Sequence, residues 1–342
     1  LALSRIRHVI AAAMLAAAPV LAGCAGGHPG RLLDAVGAEP AEILATHRVF
    51  VATTRARADD RKEVFSGERS PALNFARVDV TIPKIHAPGQ VEQPTSSARR
   101  DPARHFAAGE VALYTSGQGF SNGLGESLKK THGRALVFVH GYRTPFDNSV
   151  YRTGQIIHDS GYLGTPVLFS WASTGRTVDY IYDNNSATVA RDGLEETLRI
   201  LRKAGATRID IVAHSMGNWL TMETLRQLAM SGDRATMASL GDIILASPDI
   251  DVDVFKSQLH RQGRLADLGH RLARRPGAAR LLDHRRQPAA RRRLWRRCRA
   301  CRPRRHGGRH IGRFLRRFAQ PRQIRRQPAY GAASRPAAER GR

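Results

Sequence analysis

The sequence predicts an α/β domain, a mostly parallel sheet with helices on both faces, and three observations predict it. Between Arg134 and Ala246, short apolar runs without alternation recur with amphipathic segments of helical period between them. Strands buried on both faces read this way, and right-handed crossovers join them. The chain has 342 residues and is 42% hydrophobic, which excludes a disordered polymer and leaves room for one large domain or two small ones. Its three cysteines, Cys24, Cys298 and Cys301, form no disulfide framework, so stability has to come from burial.

Taken in order, Arg48–Thr54 reads as a strand and Ala76–Ile82 alternates as a half-buried one. Residues 83–131 are polar and rich in Pro and Gly without a clear period, and read as loop. Ala135–His140 is a continuous apolar strand, followed by Gly141 and a helix from about Asp147 to Ser160. Pro166–Ser170 is the next strand. A long amphipathic segment, roughly Val178 to Lys203, stops at Gly205, a common helix terminator. Ile209–Ala213 is a strand, Met216 to Met230 a helix and Asp242–Ala246 a strand. The domain spans 46–260.

The ends of the chain differ from this middle. Arg5 and Arg7 precede a 13-residue apolar run, Val9 to Leu21, closed by Leu21-Ala22-Gly23-Cys24. Residues 1–23 resemble a bacterial lipoprotein signal, which leaves Cys24 to carry lipid. The run falls short of the roughly 20 apolar residues that cross a bilayer. The expected location is therefore the cell envelope, on a lipid anchor, with the outer membrane favoured by Ala25 rather than Asp after the cysteine. Residues 24–45 form a tether.

The formal charge of +26 suggests a nucleic-acid binder until its distribution is examined. Residues 261–342 hold 27 Arg, no Lys and three acids, whereas residues 1–260 hold 28 basic against 26 acidic residues. No basic globular surface follows, and no nucleic-acid partner is expected. The tail is aperiodic, and Arg without Lys is odd for a selected basic arm, since Lys neutralises phosphate too. GC-rich coding DNA read in a wrong frame produces such a composition, so a frameshift near residue 260 and a disordered tail are expected. Cys298, Cys301, His306 and His310 imitate a zinc spacing, but four residues between the pairs is far short of the usual dozen, and the match reads as chance.

Ala213-His214-Ser215-Met216-Gly217 lies between a predicted strand and a predicted helix and fits the nucleophile elbow G-x-S-x-G with Ala first. Small residues flank the serine because the sharp turn brings the backbone close to neighbouring segments. The turn exposes Ser215 as candidate nucleophile, and the helix beginning there aims the Met216 N–H at a developing oxyanion. Tyr142, after the strand ending at His140-Gly141, supplies the second N–H. His140 reads as a packed, hydrogen-bonded residue rather than the base, and His214 as a supporting residue at most.

Phe138–Tyr142, Phe169-Ser170-Trp171, Ala213–Gly217 and Ala246–Ile250, in that order, resemble the α/β-hydrolase family of unknown function found in bacterial lipoproteins and exported proteins. Its members also carry segments like Val49–Arg55 and like Ile82–His86 with Gly89 and Pro94, so the resemblance covers about residues 47–260. Arg143 stands where Asn is expected and Ala172 where Pro is expected, both near the expected site mouth.

The resemblance implies a serine esterase, lipase or related acyl hydrolase acting on an acyl ester or lipid, with no metal and no organic cofactor. Such an enzyme needs an acid and a histidine after the serine. Asp249 is the best remaining acid by topology. His260, His270, His284, His306 and His310 have no convincing context, and the base is left unassigned. Two rival readings remain: a non-catalytic envelope scaffold, and a hydrolase-like domain bearing an anion-binding Arg-rich arm.

Overall fold

The computed structural model describes residues 32, 33, 35, 42–60, 62–94, 99–251 and 253–255. The expected leader, Cys24 and most of the expected tether lie outside the described residues. So do His260, His270, His284, Cys298, Cys301, His306, His310 and the whole Arg-rich tail.

Seven strands form one sheet: β1 (Ile43–Arg57), β2 (Phe65–Pro83), β3 (Ala107–Tyr114), β4 (Arg134–Val139), β5 (Thr165–Ser170), β6 (Arg208–His214) and β7 (Leu240–Ala246). Their order is β3-β2-β1-β5-β4-β6-β7. β1, β5, β4, β6 and β7 run parallel, and β2 and β3 are added antiparallel at one side. Six helices complete the order: α1 (Gly117–Lys130), α2 (Phe146–Ser160), α3 (Tyr180–Val189), α4 (Arg191–Lys203), α5 (Met216–Ser231) and α6 (Arg234–Ser239).

Apolar runs without alternation arise because each central strand buries both faces. In β4, Val137 and Val139 face the layer of α1, α4 and α5, while Leu136 and Phe138 face α2. From α4 the first layer receives Leu194, Leu198 and Leu201, all fully buried. Each contributes about 1.5–3 kcal/mol by leaving water. On the other face α2 supplies Phe146, Val150, Tyr151, Ile156 and Ile157. Among the described residues β7 ends the sheet, and no helix is long and apolar enough to cross a membrane.

Three expectations need correction. Residues 83–131 are not all loop, because they contain β3 and α1. Four glycines, at 117, 119, 123 and 125, lower the helix propensity of α1, and tertiary packing overrides it. Phe120, Leu124 and Leu128 repeat at helical spacing and are buried against the sheet. A Cβ on Gly123 would lie 2.7 Å from Tyr114 Oη, so this glycine lets α1 approach β3. Ser116 caps the helix by accepting the Gly119 N–H at 3.1 Å. Second, the segment from Val178 to Lys203 is two helices, α3 and α4, separated at Ala190 and preceded by a 3-10 turn at Thr177–Asp179. Third, β1 and β2 run well beyond 48–54 and 76–82 as a long hairpin whose register shifts between Thr53, Arg55 and Arg57.

Candidate active site

The parallel strands all end on one edge of the sheet, and β6 delivers His214 and Ser215 to that edge. Ser215 connects β6 to α5 with φ 51° and ψ −125°, outside the regions open to ordinary L-residues. Such a conformation costs about 1–3 kcal/mol and persists only where neighbours over-determine it. Here they do. The Ser215 N–H donates to Ala246 O at 3.0 Å, and Ser215 O accepts from the N–H groups of Asn218 at 2.9 Å and Asp249 at 3.4 Å. Asn218, fully buried, adds Nδ2 bonds to Ser215 O at 2.8 Å and Ala246 O at 2.9 Å.

Both glycines of the expected site are needed for contact. A Cβ on Gly217 would overlap the carbonyl oxygens of His140 and Val139, which locks the start of α5 against the end of β4. A Cβ on Gly141 would lie 2.8 Å from Ser215 Cβ and 3.0 Å from His214 O. The loop after β4 is thereby brought against the elbow, and Tyr142 follows immediately. Tyr142 packs its ring edge-on to Tyr180, 5.2 Å between centroids, and donates its hydroxyl to Thr177 O. Met216 opens α5, where first-turn N–H groups have no intrahelical acceptor.

His140 is fully occupied elsewhere. Its Nδ1 faces Gly141 O at 2.9 Å, and donating there leaves Nε2 to accept the Trp171 N–H at 3.1 Å. The ring stacks on Trp171 at 4.9 Å, and Trp171 Nε1 donates to His140 O at 2.8 Å. Burial, then the nearby Arg55 charge, press its pKa down to about 3, so this imidazole is neutral and structural. Burial, and then the Arg152 charge, lower the pKa of His214 as well. Asp249 lies beside the elbow through its N–H, but its side chain is exposed and accepts from Tyr180 Oη at 3.5 Å rather than from an imidazole.

A buried polar cluster behind the site was not anticipated. Arg55 is 1% exposed and donates to Ser170 Oγ at 2.8 Å, Ser66 O at 3.0 Å, Ser173 O at 2.9 Å and Thr144 O at 2.7 Å. Its burial lowers its pKa to about 10. Asp183, on α3 and fully buried, accepts Ser173 Oγ at 2.6 Å and the N–H groups of Arg143 and Thr174, each at 3.1 Å. Ser173 Oγ in turn accepts the Thr144 N–H at 3.0 Å. These bonds fix the loop that carries Tyr142 to β1, β5 and α3.

Residues 118–273 match a family model, alpha/beta hydrolase of unknown function (DUF900). The sheet, the elbow and the glycine contacts described above are those of an α/β-hydrolase fold. The match begins inside α1, so Val49–Arg55 and Ile82–His86, which the resemblance also includes, lie ahead of it. No curated protein matches the chain.

The two departures from the family pattern fall in different environments. Ala172 is buried, whereas Arg143 is exposed and has φ +56°. Asn tolerates that left-handed backbone far better than Arg, because its short side chain hydrogen-bonds locally. Arg143→Asn is expected to stabilise this α/β-hydrolase domain by about 1 kcal/mol, since left-handed backbone costs that order in other residues. The Arg143 N–H bond to Asp183 is kept in the variant. An unchanged or lower urea midpoint would contradict the strain argument.

Proposed function

We propose that this domain is a serine hydrolase of the esterase or lipase type, with Ser215 as nucleophile. The observation that carries the reading is the Ser215 backbone at φ 51°, held in a strained strand-to-helix turn with Gly141 pressed against it. Ser215 Oγ attacks the carbonyl carbon of an acyl ester, and the carbonyl electron pair moves onto oxygen. The N–H groups of Tyr142 and Met216 hold that oxyanion. As the C–O bond breaks, the alcohol leaves with the proton first taken from the serine, and water then cleaves the acyl-enzyme.

The proton acceptor is assigned to the chain beyond β7, where the family order places acid and histidine. Asp249 is kept as acid only if that histidine displaces its Tyr180 contact. Because the sequence of the Arg-rich tail has no apolar run of the kind that precedes Ser215, a shift of reading frame near residue 260 belongs to the same proposal. Recovery of the Arg-rich peptides from cells by mass spectrometry would overturn that part. Lipid attachment at Cys24, with an envelope location, rests on the sequence Arg5, Arg7, Val9–Leu21 and Leu21–Cys24, and incorporation of labelled fatty acid lost in Cys24→Ala is its readout.

A second reading, a non-catalytic scaffold, is favoured by the Asp249 side chain meeting a tyrosine instead of an imidazole. A fluorophosphonate probe separates the two. The hydrolase reading expects a covalent adduct on the peptide that contains Ser215. A folded chain that takes up no probe, with the tail as written and with its frame restored, supports the scaffold and overturns the hydrolase.

A further inference from the structure

At the opposite edge of the sheet from Ser215, topology gathers residues that are far apart in sequence. His47 lies in the first half of β1, His86 follows β2, and His158 and Asp159 end α2. His86 and Asp159 side chains are 2% exposed and meet through Nε2 and Oδ1 at 2.8 Å. One donor atom from each of His86, His158 and Asp159 lies within 4.8 Å of the others.

We propose that His86, His158 and Asp159 bind a divalent metal ion of the zinc class, in a site separate from the hydrolase site. Each of these side chains has a further polar partner, and His86 and Asp159 are held through an atom other than the one at which they meet. Glu92 Oε2 meets His86 Nδ1 at 2.9 Å, which leaves Nε2 as the donor atom. His47 Nε2 meets His158 Nδ1 at 3.1 Å. Asp159 Oδ2 accepts from the Gly89 N–H and from Gln155 Nε2, both at 2.5 Å, leaving Oδ1 toward His86. Carboxylates and neighbouring polar groups that orient metal-binding imidazoles in this way set the tautomer and raise ligand basicity.

The spacing suits a small ion. Metal–ligand bonds of 2.0–2.1 Å at tetrahedral angles separate neighbouring donors by about 3.3 Å. The 2.8 Å contact between His86 and Asp159 opens to that value with a small side-chain movement. Two imidazoles and one carboxylate favour zinc, cobalt or nickel over magnesium and calcium, which take oxygen ligands. A simple ion pair, with His86 as a cation between Glu92 and Asp159, uses three of the side chains. It leaves the His47–His158 pair without a purpose. A bound ion would join the end of α2 to the turn after β2, and so fasten the connection leading to β3.

The test uses the full chain carrying Cys298→Ser and Cys301→Ser, so that the tail thiols do not compete. Metal-free protein is titrated with Zn²⁺ against a chromophoric chelator, and thermal melting is followed with and without Zn²⁺. The expected result is one Zn²⁺ per chain with a raised melting temperature. Glu92→Gln, which touches no ion directly, should weaken binding roughly 10–100-fold, and His158→Ala by at least that much. Binding of equal strength in all three proteins assigns the ion to other histidines and overturns the proposal. Absence of Zn²⁺ binding in the unmutated domain overturns it as well. If His158→Ala fails to fold, the Glu92→Gln result decides. None of these readouts depends on hydrolase activity, so failure here leaves the reading of Ser215 untouched.

Discussion

Ser215→Ala is expected to abolish fluorophosphonate labelling and to lower ester turnover by several orders of magnitude, whereas Ser215→Gly is expected to do the same and to stabilise the fold. The first part follows from nucleophile and base acting as a unit, so that removing one removes nearly all they achieve together. The second part follows from the backbone. Alanine at φ 51° keeps the strain, because its Cβ meets the same clashes as that of serine. Glycine releases a strain of about 1–3 kcal/mol. Its greater freedom in the unfolded chain returns about 0.5–1 kcal/mol of that. A net gain of about 1 kcal/mol remains, and urea denaturation can measure it. Labelling that persists in Ser215→Ala would sink the nucleophile assignment. A glycine variant less stable than the alanine variant would show that the turn is not strained.

How much of this was legible in the sequence depended on what surrounds each segment. β4, β5 and β6 are buried on both faces, so packing leaves continuous apolar runs that can be read locally, and β7, partly buried at the end of the sheet, keeps such a run as well. The elbow was legible for a related reason. Close approach of the β4 backbone leaves no room for a Cβ at Gly217, two residues after the serine, and that demand shows in residue size. β3 was missed because it is an edge strand with a weak alternation, and α1 because its glycines argue against a helix that packing nonetheless forms. Asn218 carried a weak signal, a polar residue in the buried first turn of a helix. Arg55 and His86 stand inside the family-like segments Val49–Arg55 and Ile82–His86 but without a readable role, and Asp183, His47, His158 and Asp159 carried no signal. The partners that decide their environment lie far along the chain, 118 residues between Arg55 and Ser173 and 111 between His47 and His158. Only the sheet order brings them together.

The remaining large effect belongs to Arg55. Arg55→Met keeps much of the side-chain length and removes every donor. Four acceptors would then lose a partner: Ser66 O, Thr144 O, Ser173 O and Ser170 Oγ. A buried acceptor left without a partner costs about 1–3 kcal/mol. Against this stands the relief of no longer burying a charge. Burial lowers the guanidinium pKa to about 10, so removing the charge gives back part of its desolvation cost. The losses exceed the relief, and Arg55→Met is expected to destabilise the domain by about 3–5 kcal/mol, the range found when one member of a buried charged network is removed. Arg55→Lys should not rescue it, because an ammonium on a flexible stem cannot reach acceptors on β2, β5 and two loops at once. The damage should extend to chemistry. Thr144 follows Tyr142 closely, and Ser173 holds Thr144 through its hydroxyl. Loss of the guanidinium therefore loosens the loop that carries Tyr142, the proposed oxyanion donor, and fluorophosphonate labelling of the folded fraction should slow as well. A variant within 1 kcal/mol of the unmutated protein, labelled at an undiminished rate, would show that water or neighbouring donors replace Arg55 at all four acceptors.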